Sequence, residues 1–251
     1  MNELARGLKS ALGRLKRGVG RPRGSAWSDQ RSPELLHSRV RTGATYSPWL
    51  SDTEFLEAYG AVKDFTLVDI YRCYELWDLA KQAASVEGSI LEVGVWRGGT
   101  GCLLAQAAPA KMVYLADTFS GVVKAGTCDT RYVGGEHADA SEPAVRELMA
   151  KAGVTNARLL RGIFPEETGA EVSGPVALLH ADVDVYQSGK DVVEWALPRM
   201  PAGAAIVFDD YGFSGCEGIT RLVHELRKTL GRFAFIHNLN GHAIFIRTSK
   251  L

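Results

Sequence analysis

From Ser89 onward, short apolar runs alternate with stretches of helical spacing, and the chain closes on two apolar runs separated by Leu239-Asn240-Gly241. Such alternation implies a mostly parallel sheet covered on both faces, and right-handed crossovers make it doubly wound. Asn-Gly between apolar runs signals a hairpin, so the sheet ends in an antiparallel pair. The strands are expected at Ser89–Val93, Lys111–Ala116, Ala157–Leu160, Val176–Ala181, Ala204–Phe208, Phe233–His237 and His242–Arg247. Helices are expected at Thr100–Ala108, Glu142–Ala152, Gly189–Arg199 and Glu217–Leu230, the second started by Ser141 as N-cap and closed by Gly153. Ahead of the first strand, Thr66–Glu87 has helical spacing and stops at Gly88, and Glu54–Gly60 reads as a shorter helix. The connection Ser120–Ser141 spans about 20 residues, longer than an ordinary crossover, and such loops are usually lids or disordered.

The chain of 251 residues is long enough for one large α/β domain with an appendage. No apolar run is long enough to span a bilayer, and no secretory segment follows the basic start. The four cysteines form no C-x-x-C pair, so neither a zinc site nor a disulfide framework is signalled, and a cytoplasmic location is the expectation. The zero net charge hides an asymmetry. Residues 1–24 carry seven basic residues and one acid, leaving 22 basic and 28 acidic residues in the remainder. Leu4, Leu8, Leu15 and Val19 share a helical face, but Gly7, Gly13, Gly18 and Gly20 weaken any helix, so this arm reads as flexible and solvated rather than as a nucleic-acid or membrane contact. Residues 25–87 form the N-terminal helical segment, and residues 88–251 the catalytic domain.

Two of the expected strands end in aspartate pairs. One reads Val176-Ala-Leu-Leu-His-Ala-Asp182-Val-Asp184, the other Ala204-Ala-Ile-Val-Phe-Asp209-Asp210. In a parallel sheet all four carboxylates lie at the carboxyl edge, where α/β proteins place ligands. Asp182 and Asp184 are two apart, so in extended chain they point the same way. Crowded carboxylates repel one another unless a cation relieves them, and an all-oxygen set favours Mg2+, Ca2+ or Mn2+ over zinc. A carboxylate beside that cation can take the proton of an acceptor hydroxyl. Alternative roles are a helix cap for Asp184 and an arginine partner for Asp210. The first strand runs into Glu92-Val-Gly94-Val-Trp96-Arg-Gly98-Gly-Thr100, a turn whose helix amino end suits an anion. A dinucleotide fingerprint needs glycine where Trp96 stands, which opposes NAD. Asp117, closing the second strand, is where an acid commonly binds ribose hydroxyls. His180 reads as a hydrogen-bonded core histidine, His137 as a solvated loop residue, and Tyr186 and Tyr211 as wall packing or ligand contacts.

The motifs Glu92-Val-Gly-Val-Trp-Arg-Gly-Gly-Thr, Ala116-Asp-Thr-Phe-Ser-Gly, Gly162-Ile-Phe-Pro, His180-Ala-Asp-Val-Asp-Val-Tyr and Phe208-Asp-Asp-Tyr together resemble the macrocin O-methyltransferase (TylF-type) family. The likeness runs from about Thr66 to Arg247, and its specific part is the two aspartate pairs. It implies a Rossmann-like class I methyltransferase fold with an N-terminal helical lid, S-adenosylmethionine and Mg2+ as cofactors, and a sugar hydroxyl of a glycosylated natural product as acceptor. It further implies Asp182, Asp209 and Asp210 as metal ligands and Asp184 as general base. Glu92, Gly94, Trp96, Gly98, Asp117, Thr118, Gly162 and Thr66 would line the cofactor site, and Arg72 would belong to the lid. No nucleic-acid partner is expected, and homo-oligomerisation is left open. The competing readings are a nucleotide-dependent oxidoreductase and a non-catalytic binding protein.

Overall fold

The computed structural model describes residues 45–249. The basic arm of residues 1–24 and its apolar face lie outside them, as do residues 25–44.

The described chain is built on a seven-stranded sheet. Its strands are β1 (Ser89–Val93), β2 (Val113–Asp117), β3 (Ala157–Arg161), β4 (Val176–Ala181), β5 (Ala205–Phe208), β6 (Phe233–His237) and β7 (Ala243–Arg247). They lie in the order β3-β2-β1-β4-β5-β7-β6. The first five are mutually parallel, and β7 runs antiparallel to both β5 and β6. This is the expected doubly wound sheet with a terminal hairpin. The chain steps outward from β1 to β3 and then returns to place β4 against the other side of β1. The crevice beyond the carboxyl ends of β1 and β4 is therefore the topological switch point.

Helices α1 (Thr53–Val62), α2 (Ile70–Ala83), α3 (Gly99–Ala107) and α4 (Glu142–Lys151) supply one face. Phe55, Leu76, Trp77, Leu103, Leu104 and Leu148 pack there against Ile90, Leu115, Leu178 and Val207. Helices α5 (Tyr186–Ala196) and α6 (Glu217–Thr229) cover the other, where Val192, Val193, Ile219 and Leu222 meet Leu91, Leu179, Ile206 and Phe208. Successive strand residues serve opposite faces, as the two-residue period requires. None of the described helices is long and apolar enough to cross a membrane.

Two boundaries differ from the sequence expectation in ways that matter for the site. Helix α2 starts at Ile70, not Thr66. Asp69 takes the N-cap and accepts hydrogen bonds from the Tyr71 and Arg72 amides, and Thr66 Oγ1 accepts from Val68 N in a local turn. Residues 65–68 are thereby freed to face the crevice. Helix α5 starts at Tyr186, three residues before Gly189, and its amino end is served by an unforeseen residue. Asp129, from the long loop, accepts from Tyr186 N at 2.9 Å. Ser141 precedes α4 as expected but makes no side-chain cap bond.

Candidate active site

A cavity of about 230 Å3 opens at the switch point. Its walls include Thr66, Gly94, Trp96, Asp117, Thr118 and Gly162, together with all four aspartates, Asp182, Asp184, Asp209 and Asp210. Two residues expected there are elsewhere. Glu92 is fully buried and lines no part of the cavity; it turns to the face covered by α3, where a Cβ on Gly101 would fall 2.6 Å from its Oε2. It is the registered partner of His180 across β1 and β4, and its Oε1 lies 2.9 Å from His180 Nδ1. Gly98 begins α3 with a φ of 90°, and a Cβ there would fall 2.7 Å from Val145 Cγ1. It serves the packing of α4, not the cavity.

The turn after β1 is shaped by two close approaches. Gly94 has a φ of 92°, and a Cβ on it would lie 1.6 Å from the Asp182 carbonyl oxygen. Only glycine lets the end of β1 pass so near the end of β4. Asp117 then pins the turn: its Oδ2 accepts from the Val95 and Trp96 amides, both at 2.8 Å, and its Oδ1 from Phe119 N at 2.7 Å. The carboxylate expected for ribose thus spends three acceptor positions holding the backbone of its own site. Trp96 adopts a φ of 49°, and its indole N–H donates to Asp139 at 2.7 Å.

The aspartates do not follow strand alternation, because β4 ends at Ala181. Asp184 sits at a φ of 62°, in the left-handed region that Asp tolerates better than most residues. With Asp129 capping α5, Asp184 is left free to face the cavity. Carboxylate oxygens of Asp182, Asp209 and Asp210 come within 4.8 Å of one another. Two unit charges that close repel by roughly 3 kcal/mol at an effective dielectric of about 20. Burial, then the neighbouring aspartates, pushes the Asp182 and Asp210 carboxyls well above the usual carboxylate range. Asp210 Oδ2 is shielded from solvent without a hydrogen-bond partner. An orphaned buried oxygen beside two further carboxylates fits a hard divalent cation. Cys216 also lies against Asp184 and Asp210, and burial and those carboxylates push its thiol up, which disfavours a thiolate there.

Asp209 differs from its neighbours. Burial would raise it, but His180, His242 and Arg72 around it hold it well below the usual range. Arg72 donates to its Oδ2, so the arginine partner foreseen for Asp210 belongs to Asp209. Burial would lower the His180 pKa, yet the Asp209 and Glu92 carboxylates raise it to about 9. His180 is the hydrogen-bonded core histidine expected.

The long loop between β2 and α4 has no helix or strand, but it is stitched across the carboxyl edge. Lys124 bridges Glu166 and Asp191, Ser188 Oγ donates to Val123 O, and Trp96 and Arg97 both bind Asp139. The loop brings Val122, Val123, Tyr132 and His137 to the cavity. His137 is exposed as expected, yet it lines the mouth. Tyr132 was not foreseen. Its hydroxyl donates to Asp184 Oδ1 at 2.6 Å. Burial pushes Asp184 up, and the Tyr132 bond opposes that shift. Tyr186 and Tyr211 are structural: the Tyr186 hydroxyl binds Glu225 and the Tyr211 hydroxyl binds His224, outside the cavity.

Residues 63–248 match the model of the macrocin-O-methyltransferase (TylF) family. Over 179 residues the chain is 28% identical to the 8-demethyl-8-(2,3-dimethoxy-alpha-L-rhamnosyl)-tetracenomycin-C 4'-O-methyltransferase of Streptomyces olivaceus, which spans 66% of this chain and 67% of that enzyme. Over 202 residues it is 27% identical to the mycinamicin III 3''-O-methyltransferase of Micromonospora griseorubida, covering 73% of this chain and 78% of that one. The fold is shared with the O-methyltransferase NovP at a TM-score of 0.64 and 24% identity, over 73% of this chain and 82% of that structure.

Proposed function

Because the chain belongs to the macrocin-O-methyltransferase (TylF) family, we propose that it transfers a methyl group from S-adenosylmethionine to a sugar hydroxyl of a glycosylated natural product, with a Mg2+-class cation in the aspartate cluster. The observation that carries this reading is the meeting of four carboxylates with the Gly94–Trp96 turn in one cavity. One relative is named for the 4' position of a rhamnosyl-bearing tetracenomycin and the other for the 3'' position of mycinamicin III, and the first of these supports the acceptor class.

Asp182, Asp209 and Asp210 would hold the cation. When bound, it supplies positive charge that makes a nearby hydroxyl more acidic. The cofactor, when bound, supplies a methyl group on a positively charged sulfur, and a cavity rich in carboxylates suits that charge. Asp184 accepts the acceptor proton. Tyr132 occupies Oδ1 of that carboxylate and fixes its rotamer, leaving Oδ2 for the proton. Asp117 keeps the Val95–Trp96 backbone in place along the cofactor side, and the side chains of Val93, Ala116, Phe164 and Val192 form its apolar wall. The loop and residues 65–68 close the acceptor side and limit water. Holding two reactants in line supplies much of the acceleration in a methyl transfer of this kind.

Calorimetric titration with S-adenosylhomocysteine and with NADH tests the cofactor assignment. Saturable binding of S-adenosylhomocysteine with none of NADH is the expected result; tight NADH binding alone would return the protein to the oxidoreductases. Tyr132→Phe removes the donor to Asp184 while keeping the ring. Its kcat is expected to fall about 10-fold with cofactor affinity unchanged, in line with one charge-assisted hydrogen bond of about 1.5 kcal/mol. Steady-state kinetics check this, and an unaltered kcat refutes the orienting role.

A further inference from the structure

Both oxygens of Asp209 are gripped from one helix. Arg72 of α2 donates to Oδ2 directly. Glu75, three residues on, reaches Oδ1 through an intermediary: its Oε2 bonds His242 Nδ1, and His242 Nε2 lies 2.9 Å from Asp209 Oδ1. Residues three apart share a helix face, so the two grips come from the same side. His242 is fully buried and lines no part of the cavity. Its backbone N–H is fixed by Asn240 Oδ1 at 2.9 Å, and the Asn238 and Asn240 side-chain amides both donate to Glu75. The turn that makes the terminal hairpin is thereby docked on α2, and the docking delivers a histidine to the back of Asp209. A second histidine–carboxylate pair, His180 with Glu92, aims an unpartnered Nε2 at the same oxygen from 3.8 Å.

We infer that Glu75 and His242 are positioning residues for cation binding: together with Arg72 they lock the Asp209 carboxylate in the orientation that completes the set with Asp182 and Asp210. This rests on the reading that those three aspartates hold the cation. A carboxylate tied at both oxygens has no rotational freedom left to lose when it takes a ligand, whereas a free one must be ordered first. Among the described residues neither Asp182 nor Asp210 is held at both oxygens in this way, so Asp209 is the fixed point on which the set is built. Partners of this kind behind a metal ligand are typically worth about 10- to 100-fold in affinity. The arrangement also makes α2 and the hairpin, both outside the β/α core of the cavity, part of the metal-binding apparatus.

The test is the Mn2+ dissociation constant, read by electron paramagnetic resonance on the full chain saturated with S-adenosylhomocysteine. Glu75→Gln keeps size and shape at a side chain that is 23% exposed, so the fold is expected to survive, which circular dichroism checks. Its Mn2+ dissociation constant is expected to rise about 10-fold or more, with S-adenosylhomocysteine affinity within a factor of two of the parent. His242→Gln, which retains a donor but breaks the reach to Glu75, should lose a similar amount. Unchanged Mn2+ affinity in Glu75→Gln, with only a lower melting temperature, overturns the inference and leaves a purely structural brace. A parent protein that takes up no Mn2+ overturns the cation site itself, and this inference with it.

Discussion

Asp184→Asn is expected to lower the rate of methyl transfer about 1,000-fold and to leave S-adenosylhomocysteine affinity within a factor of two. The magnitude is that of losing a positioned general base, typically about 100- to 10,000-fold. The substitution is well suited to the question. Asn tolerates the left-handed conformation that Asp184 adopts at a φ of 62°, so the backbone is not strained. An amide oxygen also accepts the Tyr132 hydroxyl as the carboxylate does. What disappears is the ability to take a proton. Single-turnover kinetics with saturating cofactor measure the chemical step apart from binding. A loss smaller than about 10-fold would place the base elsewhere.

Asp182→Asn has two effects of opposite sign. It removes one carboxylate of the proposed cation set, so transfer is expected to fall at least about 100-fold and Mg2+ to stop protecting against thermal unfolding. It also stabilises the metal-free protein, and does so increasingly as pH rises. Burial and the adjacent aspartates raise the Asp182 carboxyl above its unfolded value of about 3.9. Above that pH the native state holds a proton that the unfolded chain has released, so native stability declines with pH until the raised value is passed. Asparagine has no proton to lose. Calorimetry in EDTA should therefore find the variant melting above the parent at pH 8.5, with the gap narrowing at pH 5.5. Saturating Mg2+, which displaces those protons, should reverse the order at pH 8.5. A variant that melts below the parent in EDTA at both pH values would mean that Asp182 is stabilised by something other than a cation.

Much of this was legible because it is local. Strand period, the Asn240-Gly241 turn and aspartates placed just past apolar runs each lie within a short window, and together they fix the sheet and its ligand-bearing edge. The misplacements share a different origin. Glu92 seemed to belong to the cofactor turn that follows it, but its partner is set by the register of β1 on β4, which puts it beside His180. Two residues before the turn of their respective strands, Glu92 and His180 occupy equivalent positions, and that parity was the available signal. Gly98 looked like part of the same turn and instead admits Val145 from a helix more than 40 residues on. Leu67 and Val68 extend the apolar spacing ahead of α2, while the capping carboxylate of Asp69 decides where the helix begins. Tyr132 comes from a connection with no periodicity, so no pattern points to its reaching the cavity. The brace from Glu75 to His242 joins residues 167 apart, and only the folded hairpin brings them together.

The most direct test of metal-assisted methyl transfer at this cluster uses S-adenosylmethionine carrying a labelled methyl group. It is offered to a panel of glycosylated natural products and free sugars, in Mg2+ and in EDTA. The account predicts that label passes to a sugar hydroxyl of a glycosylated acceptor in Mg2+, and that EDTA abolishes the transfer. Transfer at full rate in EDTA, undiminished in Asp182→Asn, would contradict it.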